Sequence, residues 1–446
     1  MTQTSLVLMH DEVGLFGFSY HNESRSFSFK SCDLNIRYFN FLPTQFRRIF
    51  DISGKDCLNV QKIFSQEMAR FLKFRVISLQ REYSRKVMEN LKIRDLDDFE
   101  SMFDRLYFVS LNDVLWVKSN NSSVKYAEIN PYNNPLDPAI ASLVLTGYPD
   151  CFKSAQQSAF FSPAIDLSAS GNQNKIWFEN NGTIMLYKTD EWADLSSPDC
   201  SYVNNQVYAE YFACQIASFL GINSVKYELE VLNCQGRKLV CSKCPLINSI
   251  DYSLVTMTQA LDDLDYIDQD LKSSLQKQCD DATTADETAL SFLGRKQFAD
   301  QSFLDMLLLN PDRHKDNYSL LKDNNTLEYR QLSMCYDHGL SLFALSREYE
   351  MESLVGSAMN GTFITGDGVN VRSRFLTLCD ESYLDLLYKF MDFEFSNFSQ
   401  APFNEELLIK ITRCIRKNAQ NMIELLEHKF KQKENKPRPS NSLRID

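Results

Sequence analysis

Three polar side chains in the second half of the chain have the types and the order that phosphoryl transfer requires. Asp312 and Asn317 lie in the polar segment NPDRHKDN, which follows the apolar run FLDMLLL, and Asp337 lies further on in YDHG. In ATP-dependent phosphoryl transfer, one carboxylate orients the attacking hydroxyl and accepts its proton, while an amide oxygen and a second carboxylate hold Mg2+. Mg2+ keeps several of its waters, so one or two carboxylates are enough. The order therefore predicts Asp312 as the base and Asn317 and Asp337 as metal ligands.

A site of this kind also needs a cation for the phosphates, and Lys188 fits that role. It ends the predicted strand in IMLYK, and Glu210 lies on the helix that is predicted to follow. A strand lysine paired with a helix glutamate is the arrangement of protein kinases, in the same chain order. A lysine that extends from a strand end into solvent and an exposed helix glutamate are the alternatives.

Two more segments fall where a kinase contacts its nucleotide. SASGNQNK, residues 168–175, is a loop of small residues, and the backbone amides around Ser170 and Gly171 would cap phosphates. A single glycine is a weak signal for such a loop. CSKCPLINS lies where a kinase hinge would present backbone groups to adenine, with Cys244 as the candidate residue. A chain turn set by Pro245 is the alternative, and the two interpretations are compatible.

NPDRHKDN followed by YDHGLS resembles the catalytic and metal-binding motifs of the HipA family of bacterial serine/threonine kinases. The motifs are more distantly similar to those of phosphatidylinositol-type kinases. The resemblance covers about residues 160–430. It implies ATP and Mg2+ as cofactors, a protein substrate, and the roles given above for Asp312, Asn317, Asp337, Lys188 and Glu210. It also implies a small antitoxin that binds DNA as a partner, because many family members are toxins.

The resemblance extends to regulation but has two departures. A serine of the family's glycine-containing loop can be autophosphorylated to switch activity off, and Ser168 and Ser170 are the candidates here. The loop is poor in glycine, and His338 follows the metal aspartate where protein kinases usually carry phenylalanine. His314 is a second catalytic candidate, acting either as a general base or as a brace for the loop. Arg313 pairs with a carboxylate or a phosphorylated residue, or else forms a surface ion pair.

The resemblance and the hydrophobic pattern together predict an α+β protein with a two-lobed, protein-kinase-like fold. We expect an N-terminal α+β accessory domain (1–150), a small β-rich lobe (151–248), a larger helical lobe (249–430) and a disordered tail (431–446), with ATP between the lobes. Asn-Gly in ENNG predicts a hairpin between strands 175–179 and 183–188. NNQVYAEYFACQIASFLGI predicts an amphipathic helix that Gly221 ends.

Other elements follow from the same patterns. Residues 1–50 are expected to form short strands, residues 81–93 a helix, and Asp95 the N-cap of the helix after it. Trp116 is expected to anchor the core. Beyond residue 250 the chain is expected to be mainly helical, with the aspartates that include Asp262 and Asp263 on a solvated helix face.

Composition limits the classes of function. The 446 residues are 44% apolar and carry a net charge of -12, so we expect no direct binding of nucleic acid. No window has the roughly 18 uninterrupted apolar residues of a membrane span, so no membrane contact is expected. We interpret the 12 cysteines as reduced, mostly buried thiols, and the protein as cytoplasmic.

Two other functions compete with the protein-kinase interpretation. The same fold could phosphorylate a small molecule or a lipid, although no basic cluster facing a membrane favours a lipid. A non-catalytic pseudokinase or regulatory binding module is the second rival, and the full set of polar residues at the predicted site speaks against it.

Overall fold

The chain, described here from a computed structural model, forms two compact units. Unit 1 comprises Met1–Ser196, Glu228–Thr283 and Tyr318–Leu332, and unit 2 comprises Ser197–Tyr227, Thr284–Asn317 and Ser333–Asp446. The structure describes residues 3–52, 57–77, 83–93, 95, 97–134, 136–149, 151–152, 173–194, 203–267, 293–332, 334–366 and 368–434. The predicted domain boundaries at residues 150 and 248 stay predictions.

Unit 1 begins with an antiparallel sheet in the order β3-β2-β1-β4. Its strands are β1 (Gln3–His10), β2 (Val13–His21), β3 (Ser26–Leu34) and β4 (Leu115–Ser119). Alternate side chains such as Leu8 and Phe18 face a core rich in phenylalanine, and Trp116 is buried as predicted, donating from Nε1 to the Asp11 carbonyl over 2.7 Å. Strands were expected throughout residues 1–50, but the chain turns helical after β3.

Helices cover this sheet and carry the chain to the next one. They are α1 (Thr44–Ile52), α2 (Cys57–Lys73), α3 (Ser84–Asn90), α4 (Glu100–Leu106), α5 (Tyr126–Ile129) and α6 (Pro138–Thr146). The helix predicted for residues 81–93 is thus shorter than expected. Asp95 is not the N-cap of α4, because its Oδ1 accepts the Asp97 N–H in a separate turn.

A second antiparallel sheet of unit 1 has the order β5-β6-β8-β7. Its strands are β5 (Asn174–Asn180), β6 (Thr183–Asp194), β7 (Glu228–Cys234) and β8 (Arg237–Pro245). Asn181 and Gly182, at φ 52° and 78°, form the predicted hairpin turn. Strand β6 runs beyond its predicted end, so Lys188 lies inside the strand and not at its end.

A disulfide joins Cys151 to Cys234 at the end of β7. This corrects the expectation that all cysteines are reduced. The two residues are 83 positions apart, so their spacing gave no sign of the pairing. Cys214, Cys241, Cys244, Cys335, Cys379 and Cys414 are free thiols among the described residues.

A third sheet, also in unit 1, corrects the expectation of a mainly helical chain beyond residue 250. Strands β9 (Tyr252–Thr256), β10 (Ser319–Asp323) and β11 (Tyr329–Gln331) pair in the order β11-β10-β9, and α8 (Met257–Ile267) follows β9. The strands are too short for a clear alternation. Asp263 of α8 is not solvated, because it accepts hydrogen bonds from Lys322 (2.6 Å) and Arg47 (3.0 Å).

The described part of unit 2 is mainly helical. Its helices are α7 (Gln206–Leu220), α9 (Arg295–Leu308), α10 (Met351–Asn360), α11 (Val371–Leu378), α12 (Ser382–Phe390) and α13 (Glu405–Glu434). The predicted stripe of α7, which includes Tyr208 and Phe212, is buried, and Gly221 ends the helix at φ 77°. The sheets of unit 1 and the helices of unit 2 confirm the α+β class. Helix α13 extends to Glu434, into the predicted tail, whose residues 435–446 lie outside the described ones. None of the described helices is long and apolar enough to cross a membrane.

Candidate active site

Helix α9 delivers the chain to the polar loop that sequence analysis singles out. From Phe298 to its end the helix is buried, and Leu309 reverses the chain at φ 55° while its N–H donates to the Asp305 carbonyl. Asn418 of α13 is buried and donates from Nδ2 to the carbonyls of Met306 (2.7 Å) and Leu307 (3.2 Å). The last turn of α9 is therefore fixed by a second helix, and a left-handed leucine at its end is the kind of strain that a rigid site tolerates.

Arg313 links this loop to the segment that contains Asp337. Its side chain is 0% exposed, and its Nε lies 3.0 Å from Oδ2 of Asp305 on α9. Nη1 donates to the Asn317 carbonyl (2.8 Å), and Nη2 donates to the carbonyls of Tyr336 (3.1 Å) and Asp337 (3.3 Å). Of the roles left open for Arg313, the structure shows a buried pair with a carboxylate. A planar fork with several donors suits this position, which a lysine could not reproduce.

Asp305 was missed by sequence analysis because it is hidden in the apolar run FLDMLLL. Burial alone would raise the pKa of Asp305, but the charge of Arg313 and the hydrogen bonds from Arg313 and Asn310 outweigh it and hold the pKa below its ordinary value. Asn310 donates to Asp305 from Nδ2 (2.9 Å) and accepts the Asp312 N–H at Oδ1 (3.1 Å). A lone acid in an apolar helix was the available signal, because a buried carboxylate requires a partner.

The structure brings Asp312, Asn317 and Asp337 together within unit 2. Burial raises the pKa of the half-buried Asp312 above its ordinary value, and the charge of Asp337 raises it further. His314 and Arg313 act in the opposite direction. Asn317 is buried in a short 3-10 helix, Lys315–Asn317, and donates from Nδ2 to the Asp312 carbonyl over 2.8 Å. Two carboxylates close enough to repel, beside a carboxamide, are the donor set predicted for the site.

Asp337 and the residue after it have unusual conformations and surroundings. Asp337 has a φ of 61°, a left-handed conformation that is uncommon outside glycine and is often found at functional sites. His338 is buried, with Nε2 3.3 Å from the amide nitrogen of Gln301 and Nδ1 3.8 Å from Asp305. Burial lowers the pKa of His338 to about 4, so its ring is neutral at pH 7. The histidine that departs from the kinase pattern therefore joins the polar network beneath the site.

Glu210 of α7 lies beside the same segment. A methyl group placed on Gly339 would be 3.5 Å from Glu210 Oε1 and 3.6 Å from Gln206 Cβ. Glu210 is 1% exposed, so it is not the exposed helix residue of the alternative interpretation. The start of α7 is tied to the following segment, since Asn204 donates from Nδ2 to the Leu342 carbonyl over 3.2 Å. The structure thus places Glu210 against the backbone that follows Asp337.

His314 is half-buried, and its ring faces its own loop. The Asp316 N–H donates to His314 Nδ1 over 3.2 Å, and the Asn317 N–H donates to the His314 carbonyl over 2.9 Å. These contacts favour a bracing role over general-base catalysis. A catalytic role for His314 stays a prediction.

The predicted nucleotide contacts lie in unit 1 or outside the described residues. Lys188 is 5% exposed in β6, opposite Lys175 of β5 and Ser242 of β8. Its burial rules out a lysine that extends from a strand end into solvent, and a buried ammonium group requires a polar partner. Cys244 is buried in β8 opposite Leu186. Ser168, Ser170 and Gly171 lie outside the described residues, so the phosphate-capping loop stays a prediction.

The donor set fits a Mg2+ ion that takes most of its ligands from elsewhere. No group of three or more His, Cys, Asp or Glu side chains that could hold a metal occurs among the described residues. Because the Asn317 nitrogen is bound to the Asp312 carbonyl, the amide oxygen is the atom left for a cation. A dication would also offset the repulsion between Asp312 and Asp337. Mg2+ commonly binds in this way, through one or two protein oxygens together with waters and phosphates.

Comparison with known proteins finds no matching family model and no matching curated protein. Three solved structures show similarity at low sequence identity. The proinflammatory kinase CtkA of Helicobacter pylori has a TM-score of 0.41 and 16% identity, over 59% of this chain and 93% of that one. HipA of Shewanella oneidensis MR-1, in complex with HipB and its operator DNA, has a TM-score of 0.43 and 12% identity, over 97% of this chain and 100% of that one. The golgi casein kinase has a TM-score of 0.33 and 13% identity, over 60% of this chain and 71% of that one.

Proposed function

We propose that this protein is a HipA-like serine/threonine protein kinase that transfers the γ-phosphate of ATP to a protein hydroxyl. One observation carries the proposal: Asp312, Asn317 and Asp337 meet in unit 2, and the buried Arg313 links the backbone of Asn317 and Asp337. Phosphoryl transfer depends mainly on positioning and on neutralising charge. A rigid loop that presents one base and two metal donors supplies both.

Asp312 is the residue proposed to act on the acceptor. It orients the hydroxyl of serine or threonine toward the γ-phosphate and accepts its proton as the new O–P bond forms. The raised pKa of Asp312 suits this role, because a base works best when its pKa lies nearer the working pH. The Asn317 amide, bound to the Asp312 backbone carbonyl, fixes the position of the base.

The remaining roles concern ATP and Mg2+. Asn317 and Asp337 would hold Mg2+, which neutralises charge on the phosphates when bound. Lys188 is proposed to bind phosphate with Glu210 as its partner, and the amides of Ser170 and Gly171 to cap the phosphates. Cys244 is proposed to offer backbone groups to adenine. His314 braces the catalytic loop in this scheme.

The proposal extends to partners, location and domains. One of the similar structures contains HipA together with HipB and operator DNA, which supports a small DNA-binding antitoxin as a partner. The substrate is proposed to be a protein, and the cytoplasm the place of action. Residues 1–150 would form an accessory domain, 151–248 the small lobe and 249–430 the large lobe.

The test is a phosphorylation assay with radiolabelled ATP and Mg2+. Wild type, Asp312→Ala and Asp337→Ala are compared on protein, lipid and small-molecule pools, with Asp316→Ala as the matched control because Asp316 is exposed in the same loop. Label on protein that both site variants lose supports the proposal. Label on lipid or on small molecules alone supports the first rival, and no transfer of label by the wild type supports a pseudokinase. Mass spectrometry of Ser168 and Ser170 tests autophosphorylation.

A further inference from the structure

The segment between α10 and α11 is a small, well-braced hairpin. Thr365 N–H donates to the Val369 carbonyl and Gly368 N–H to the Thr365 carbonyl, both over 2.9 Å. Ile364 and Asn370 form an antiparallel bridge at its base. Gly368 at φ 79° allows the tight reversal. The hairpin is therefore a fixed surface, with its own backbone hydrogen bonds.

Its base is fastened to the helices of unit 2. Asn370 caps α11 by accepting the Ser373 N–H over 2.8 Å, and its side-chain nitrogen donates to the Gly361 carbonyl. Arg374, buried in the first turns of α11, lies with its guanidinium 5.5 Å from the ring centre of Phe298 on α9. Helix α9 is also the helix that leads into the catalytic loop, so hairpin and loop share one support.

The tip of the hairpin lies against the catalytic loop itself. A methyl group placed on Gly366 would be 3.8 Å from Cβ of His314 and 3.8 Å from the carbonyl oxygen of Pro311. These are van der Waals distances, so the backbone at Gly366 lies directly beside the residues on either side of Asp312 and Arg313. An acceptor that reaches Asp312 would pass close to this hairpin.

One apolar side chain of the hairpin is turned to solvent. Ile364 is 54% exposed, whereas its neighbours Phe363 and Thr365 are 7% and 5% exposed. The alternation of an extended strand puts Phe363 and Thr365 into the protein and Ile364 outside. Its position in the fold does not require an isoleucine, because a polar side chain would fit there equally well.

We propose that Ile364 contacts an apolar side chain of the protein substrate, close in sequence to the serine or threonine that is phosphorylated. This inference rests on the proposed function and adds a specificity determinant to it. The occupant is a peptide segment because a rigid hairpin beside the catalytic loop can contact residues that flank the acceptor hydroxyl. A small-molecule acceptor has no such flanking residues.

The experiment uses an array of peptides, each with a single serine or threonine, in which the flanking positions are varied one at a time. The full-length kinase is supplied with radiolabelled Mg-ATP. The wild type is expected to prefer leucine, isoleucine or phenylalanine over glycine at one flanking position. Ile364→Asp should reduce that preference roughly 10- to 100-fold, the usual range for one apolar contact. The rate on the glycine-flanked peptide shows that the variant is folded, and Ile364→Val should restore the preference.

Ile409→Asp is the matched control, since Ile409 on α13 is also an exposed isoleucine, at 68%. It should keep the wild-type preference. An unchanged preference in Ile364→Asp would overturn the inference while leaving the kinase assignment intact. Activity of the wild type on lipids or small molecules but on no peptide would also overturn it. Failure of the wild type to transfer phosphate from ATP to any acceptor would instead contradict the proposed function.

Discussion

At the scale of single residues, Asp312 combines a catalytic position with an unfavourable environment. Replacing it by asparagine keeps the size of the side chain but removes the base. We expect Asp312→Asn to lower kcat by about 10²- to 10⁴-fold, the usual contribution of a positioned base, with little change in the KM for ATP. Steady-state assays with radiolabelled ATP measure both constants. Asp316→Asn should behave as the wild type, and equal losses in the two variants would remove Asp312 from its role.

The same substitution should stabilise the folded protein at neutral pH. The pKa of Asp312 is raised in the folded state, so the folded protein binds the proton more tightly than the unfolded chain does. Stability therefore falls as pH rises from the ordinary aspartate pKa through the raised one, and Asp312→Asn removes that loss. Thermal unfolding should give a higher Tm for the variant at pH 7, with the difference shrinking toward pH 4. A lower Tm at pH 7 would contradict this account.

His338 gives a pH dependence of the opposite sign. Its folded pKa of about 4 lies below the ordinary 6.5, so the unfolded chain binds a proton first as pH falls. Stability is lost as pH decreases from 6.5 toward 4, by about 3 kcal/mol in all. His338→Gln should remove this part of the pH dependence, measured as the difference in unfolding free energy between variant and wild type. The difference is needed because burial lowers the pKa of His10 to about 4 as well. A difference that does not change with pH would contradict the prediction.

At the scale of elements, the Asp305–Arg313 pair joins helix α9, the catalytic loop and the Asp337 segment. Asp305→Asn leaves the buried Arg313 without a full counter-charge, which should lower the free energy of unfolding by about 3–5 kcal/mol. The double variant Asp305→Leu/Arg313→Met replaces both charges by apolar groups and should recover much of that loss. Urea unfolding followed by circular dichroism measures the stability of both variants.

Activity separates positioning from stability in the same pair. The double variant lacks the hydrogen bonds from Arg313 to the carbonyls of Asn317, Tyr336 and Asp337. We therefore expect it to be stable but to have a strongly reduced kcat. Recovery of both stability and kcat would show that Arg313 has no positioning role.

Elements governed by local rules could be predicted from the sequence. The hairpin at Asn181-Gly182 and the end of α7 at Gly221 both depend on positive φ angles that the sequence signals directly. Asp312, Asn317 and Asp337 could be grouped because their types and order are those of one chemistry. Asp305 could not, because its partner Arg313 is identified only by the fold.

Long-range pairings account for most of the remaining differences. Strands β9, β10 and β11 are three to five residues long, and β10 pairs with β9 across more than sixty positions of sequence. Such strands show no alternation that a sequence pattern could detect. Asp263 was placed on a solvated face for a similar reason, since its partners Arg47 and Lys322 are far away in sequence.

At the scale of the whole molecule, the disulfide between Cys151 and Cys234 bears on the compartment in which the protein works. Structural disulfides are rare in the cytoplasm, so its state there is worth testing. A cross-link that spans 83 residues restricts the unfolded chain and should contribute about 4 kcal/mol to the stability of the oxidised protein. We expect a reductant to lower the Tm of the wild type markedly.

The variant Cys151→Ser/Cys234→Ser should unfold near the Tm of the reduced wild type and should not respond to reductant. Cys214→Ser, which removes a free thiol that is not fully buried, should respond as the wild type does. Mass spectrometry after alkylation without reductant reports the state directly, because the cross-linked cysteines stay unlabelled. Labelling of both Cys151 and Cys234 in protein purified without reductant, with a Tm that is the same with and without reductant, would restore the original interpretation of reduced cysteines. That result would also remove the one structural feature that stands against a cytoplasmic kinase.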